Sequence, residues 1–111
     1  MMPEKTMVFT PHEAEKVLKI FLTDVYEFTV PAFKEGDICQ CVTETDIIPF
    51  AFVKVLVIHR HNFNQILHFD AVAAGYQTLA EFKNSLAIKT TATITDDTKV
   101  WHIIFELVSI P

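Results

Sequence analysis

Phe33-Lys34-Glu35-Gly36-Asp37 and, downstream, Asp70-Ala71-Val72-Ala73-Ala74-Gly75-Tyr76-Gln77-Thr78-Leu79-Ala80-Glu81-Phe82-Lys83 set the architecture of this chain. The first segment reads as a tight turn delivering the chain into a strand. Gly36 supplies the positive φ that other residues resist. The second reads as a short turn with an acidic start, then a glycine, then a capped helix. Thr78 and Glu81 form a capping box there, and Leu79, Phe82 and Leu86 give the helix an apolar stripe.

Upstream of the turn, Thr10-Pro11-His12-Glu13 is a second capping box with proline at the first helical position. Ala14, Val17, Leu18 and Phe21 follow at helical spacing, which predicts a helix over 11–22. Residues 6–9 read as a short strand ahead of it. Residues 25–30 are β-rich and stop at Pro31. Residues 38–43 form a strand, 44–47 a hairpin connection, and 50–58 a long apolar strand covered on both faces except near Lys54. His59 to Gln65 reads as a polar loop. Residues 88–98 are threonine-rich and loop-like, with a turn at Asp96-Asp97. Residues 99–108 make the final strand. The expectation is an α+β domain, a small β-barrel of about five strands with two flanking helices, spanning residues 1–111. An open five-stranded sheet is the alternative.

Composition narrows the function classes. The 111 residues fit one domain, and half of them are hydrophobic, ten being Phe, which argues against disorder. No apolar run reaches the roughly 18 residues of a membrane span, and Met1-Met2-Pro3-Glu4-Lys5 has no apolar signal core behind it. A cytoplasmic location without membrane attachment is expected. Cys39 and Cys41 lie two apart on a strand, poorly placed to bond each other, so a disulfide framework is not expected. Net charge is −5, and Arg60 is the one arginine against eight lysines. Gripping duplex nucleic acid needs clustered Lys and Arg, so general duplex binding is disfavoured while a local positive patch stays open.

Several side chains remain as candidate ligand contacts. Arg60, flanked by His59 and His61, is the most concentrated positive spot and could meet a phosphate or base edge. Tyr26, Phe28 and Trp101 could stack a base, although aromatics on strands are more often core. Glu27 interrupts an apolar strand and could accept from a base's exocyclic amine. His59, His61 and His68 with Cys39 and Cys41 could suggest zinc, but the spacing is wrong for a structural site. A solvated loop and two core cysteines fit better. No metal or cofactor is expected.

The order of these features resembles the ASCH domain, a β-barrel related to the PUA modules. The shared features are the amphipathic first helix, the Phe33-to-Asp37 turn, the Gly75-to-Lys83 segment and the ending Val100-Trp101-His102-Ile103-Ile104-Phe105-Glu106-Leu107. They cover roughly residues 11–109. The resemblance implies RNA or nucleoside binding in a cleft between the first helix and the barrel. Some members are amidohydrolases acting on acylated cytidines. Those use a lysine and a threonine before the strand that precedes the Gly-Asp turn, and a glutamate ahead of the second helix. Here Thr23 and Thr29 have no lysine beside them, Lys19 lies on the helix, and Ala73-Ala74-Gly75 stands where the glutamate would be. The family's Gly-Lys-Thr-x-Glu-x-Arg pattern reduces to Glu27, with Thr29 in the arginine position. The resemblance therefore implies a non-catalytic domain binding RNA, single-stranded nucleic acid or a nucleoside, and the candidate contacts read from the residues are Tyr26, Glu27, Thr29, Lys54, Arg60 and His61. An acidic protein-interaction module is the alternative, for example a phage-type inhibitor of a nucleic-acid-handling enzyme. An amidohydrolase using Thr23 or Thr29 is the third reading. Oligomeric state is left open.

Overall fold

The computed structural model describes residues 5–111, and the expectation about Met1–Glu4 lies outside the described residues. The elements in order are β1 (Lys5–Phe9), α1 (Pro11–Leu18), β2 (Asp24–Glu27), β3 (Ile38–Thr43), β4 (Asp46–Asn62), a 3-10 turn (Phe63–Gln65), α2 (His68–Ala73), α3 (Leu79–Ile88) and β5 (Lys99–Ser109). One five-stranded sheet runs in the order β1-β3-β4-β5-β2. β1 pairs with β3 in parallel and the other pairs are antiparallel. The sheet curls into a half-barrel with three helices, an α+β fold. β1 and β2 are its two edges, and no ladder joins them among the described residues.

The Phe33-to-Asp37 turn forms as its residues demand. Gly36 sits at φ 92°, the Asp37 carboxylate accepts from the Lys34 backbone N–H, and the Gly36 N–H donates to the Val55 carbonyl at 2.8 Å. The turn thereby plugs directly into β4. The capping box at Thr10 and Glu13 closes in both directions and starts α1.

α1 is shorter than its apolar spacing suggests. It ends at Leu18, and Ile20 adopts a left-handed φ of 61°. The Phe21 N–H then reaches the Lys16 carbonyl and the Ile20 N–H the Val17 carbonyl, the bond pattern that closes a helix C-terminus. The stop swings Leu22 into the core and leaves Phe21 exposed. Glycine is the residue suited to that position, and a β-branched side chain strains it. Ile20 itself is 64% exposed, so it recovers little by burial. Ile20→Gly is expected to raise stability by about 1 kcal/mol, seen as a higher urea midpoint at unchanged slope.

Two cores lie on opposite faces of the sheet. Inside the half-barrel, Met7, Phe9, Val17, Leu22, Cys39, Cys41, Val53, Val55, Ile103 and Phe105 pack together. Both cysteines are free and fully buried, and burial pushes their thiols up to about 11 and about 12. On the other face, α2 and α3 cover the far end of the sheet through Tyr26, Ile66, Ala71, Ala74, Phe82, Leu86 and Val100.

β4 departs from its expected form in two ways. Around Lys54 only one face is covered: Val53 and Val55 are buried, whereas Lys54 and Leu56 are exposed. An antiparallel sheet needs only one dry face. The strand also runs on to Asn62, so the expected loop at His59–Gln65 is strand through Asn62 and then a 3-10 turn. A register shift between Val55 and Val57 inverts the alternation. Beyond it, Ile58 packs against the barrel core, and the exposed His59 lies opposite His102 on the other face.

Candidate ligand cleft

A cleft of about 410 Å³ runs beside α1, between it and α3. Its walls carry His12, Glu13 and Lys16 from α1, Glu44 from the β3–β4 turn, and Tyr76, Ser85 and Lys89 from the α3 side. A second lobe of about 210 Å³ occupies the open seam between β1 and β2, reaching Val25, Tyr26 and Glu27. Glu13 and Lys89 line both lobes. The seam lobe exists because the sheet does not close on itself.

Polar groups in the cleft are partly tied down. The Lys16 ammonium donates to the Gly75 carbonyl and lies 5.4 Å from the centre of the Tyr76 ring. The Tyr76 and Ser85 hydroxyls are 2.6 Å apart. Gly75 sits at φ 89°, and a Cβ there would come within 3.0 Å of the Lys16 stem. Glycine thus permits the close approach that anchors Lys16. Burial raises the Glu27 carboxyl above its usual range, and Lys89 opposes that.

The candidate residues separate in space. Tyr26 and Glu27 reach the seam lobe, although the Tyr26 ring is core, 1% exposed. Thr29 is exposed in the bend after β2, and Lys54 is exposed on the outer face of β4. Arg60 is exposed with its guanidinium 5.6 Å from the centre of the Trp101 ring. His61 is half-buried on the opposite face of β4, against His102. The six residues therefore do not converge. Thr23 gives its hydroxyl to Asp24 at 2.7 Å. Lys16, Tyr76, Ser85 and Lys89 escaped sequence reasoning because each sits on a helix or its approach, and no local pattern marks them.

A second polar cluster was also missed. Asp24 and His102 are the two buried polar or charged residues among those described. His102 Nε2 lies 2.6 Å from Asp24 Oδ2, and His102 Nδ1 lies 3.1 Å from His61 Nε2. Tyr26 stacks on the His102 ring at 4.3 Å between centroids, and its hydroxyl is buried with no hydrogen-bond partner. Burial first, then the Asp70 and Asp24 carboxylates, push the Tyr26 phenol well above its ordinary pKa. No group of three or more His, Cys, Asp or Glu side chains among the described residues is arranged to hold a metal ion. No described helix is long and apolar enough to cross a membrane.

No protein-family model and no curated protein matches the chain. Solved structures do match. The ASCH domain from Lactobacillus crispatus JV V101 superposes with a TM-score of 0.75 at 9% identity, covering 93% of this chain and 79% of that one. A protein from Enterococcus faecalis V583, assigned to family DUF984, gives a TM-score of 0.77 at 16% identity, over 99% of this chain and 79% of the other. ASCH from Zymomonas mobilis gives 0.70 at 9% identity, over 95% and 70%. The chain has the fold of these ASCH-domain structures, and identities this low speak to the fold alone.

Proposed function

We propose that this chain is an ASCH-type domain that binds a nucleoside or a short single-stranded RNA segment in the cleft beside α1, with no catalysis in that cleft. The observation that carries the reading is the cleft itself. Its volume of about 410 Å³ falls within the roughly 300–1,000 Å³ typical of small-molecule sites. Tyr76 offers an aromatic face, Lys16 and Lys89 offer cations, and Glu27 in the seam offers an acceptor for an exocyclic amine. Two lysines in an acidic protein suit one or two phosphates, not a duplex. A cytoplasmic setting accords with the two free thiols.

Calorimetric titration with cytidine, adenosine, their monophosphates and a short single-stranded RNA tests this. Binding is expected for the single-stranded ligands, with a log–log salt slope no steeper than about −1.4 for two phosphate contacts. Lys89→Glu is expected to weaken the phosphorylated ligands about tenfold at unchanged thermal midpoint, by putting like charge at the lobe junction. Absence of heat at high micromolar protein, or affinity untouched by Lys89→Glu, would overturn the reading.

A protein partner is the second reading. It is favoured by Leu67, Phe69 and Val72, apolar residues at 50%, 67% and 51% exposure at the start and along the outside of α2.

A further inference from the structure

A buried carboxylate bonded to a buried imidazole is an expensive core element, since removing both groups from water opposes folding. Here the pair continues outward to a second imidazole. Asp24 on β2, His102 on β5 and His61 on β4 form one hydrogen-bonded chain that ends at a half-exposed side chain. The β4 register shift is what places His61 on that face. Nothing in the packing requires the chain, because apolar residues of similar size would fill the same layer. Buried, hydrogen-bonded chains of titratable side chains that reach the surface are candidates for functional sites.

The chain assigns its own protons. The Asp24 carboxylate only accepts, taking the Thr23 hydroxyl on Oδ1 and the His102 Nε2–H on Oδ2. His102 Nδ1 is then the acceptor for the His61 Nε2–H. His61 Nδ1 is left as the lone-pair nitrogen. We propose that His61 is the general base of a second site, separate from the cleft, with His102 and Asp24 as positioning residues behind it, acting on water that attacks an activated acyl carbon.

In that step the Nδ1 of His61 takes a proton from water as the oxygen bonds to the carbonyl carbon. The ester C–O bond breaks, the leaving oxyanion departs, and the proton returns to solvent or to that oxyanion. The His61 Nε2–H bond to His102 holds the ring in place, and the Asp24 carboxylate behind His102 offsets the positive charge of the imidazolium while it exists. The groups facing His61 are His59 on its own strand, His102 on β5 and Asp70 on α2, with Asp24 behind His102. Burial, then His102 and His59, hold the His61 imidazole below its ordinary pKa, and Asp70 opposes them. The free-base form is therefore the one present at neutral pH.

The test is hydrolysis of p-nitrophenyl acetate by the full chain, read independently of any nucleic-acid ligand. His61→Gln is expected to lower the second-order rate at least about fivefold, while the exposed His68→Gln leaves it within about twofold. Asp24→Asn is expected to move the midpoint of the pH–rate profile to lower pH, because the carboxylate no longer favours the imidazolium. Should Asp24→Asn fail to fold, nitrogen-15 imidazole spectra of the unaltered protein decide the arrangement. They are expected to show His61 protonated on Nε2 and bare on Nδ1. A rate unchanged in His61→Gln, or a His61 proton on Nδ1 at neutral pH, overturns the proposal.

Discussion

Asp24→Ala is expected to destabilise the chain by about 3–5 kcal/mol, the cost of breaking a buried pair by removing one partner. The two side chains are only 9% and 7% exposed, so water cannot replace the lost acceptor without opening the sheet. His102 would keep a buried N–H with nothing to receive it, and the Thr23 hydroxyl would lose its acceptor as well. Removing both members tells a different story. Asp24→Ala combined with His102→Leu leaves no stranded imidazole, and the second change is expected to recover most of the loss. Urea unfolding of the two single variants and the double variant gives the coupling directly. A double variant as unstable as the sum of the singles would mean that the pair adds nothing beyond its packing. The experiment also separates architecture from chemistry: the double variant is expected to fold while showing no His61-dependent ester hydrolysis.

The parts of this fold governed by local chemistry were legible in the sequence. Thr10 with Glu13 announced α1, Thr78 announced α3, and Gly36 announced the turn, because each is a short-range bond pattern among neighbours. β3 likewise kept its expected bounds. α2 did not announce itself. It is six residues long, and Leu67 at its N-cap gives no side-chain cap. The acidic start read there as a turn is Asp70, which accepts from the Leu67 backbone N–H at 2.8 Å. The extension of β4 was hidden because His59-Arg60-His61-Asn62 is polar. That polarity marks side chains at a sheet rim, not a loop, and His61 among them bonds to the buried His102.

The site residues were less legible for a topological reason. Asp24 and His102 are 78 positions apart and meet only because β2, the second strand in sequence, pairs with β5, the last. One register shift in β4 then determines whether His61 or Arg60 joins them. Alternation read from residues 50–58 carries no mark of that shift, since Val-Leu-Val-Ile is equally apolar in either register. The cleft beside α1 was foreseeable as a location, but not the side chains that line it from α3.

The second large effect separates the two cores. Phe82→Ala is expected to destabilise the chain by about 3–5 kcal/mol, as truncation of a buried phenylalanine does. Phe82 is 3% exposed. It meets the Tyr26 ring edge-on at 5.1 Å and the Tyr76 ring at 5.2 Å, so its loss removes aromatic contacts from α3 to both the sheet and the cleft wall. The damage should stay on one side. The sheet stands between this layer and the barrel core, where Cys39, Val53, Val55 and Ile103 are fully buried without help from α2 or α3. Native-state hydrogen exchange is the measurement. Amides of α2 and α3 are expected to open at lower free energy than in the unaltered protein, while those of β3 and central β4 continue to exchange only through global unfolding. Phe82→Leu fills more of the space and is expected to lose less than half as much stability by the same measure. If β3 and β4 amides in Phe82→Ala open together with the helices, the two cores form a single cooperative unit. The half-barrel could then not hold its shape without the helical layer that covers His102.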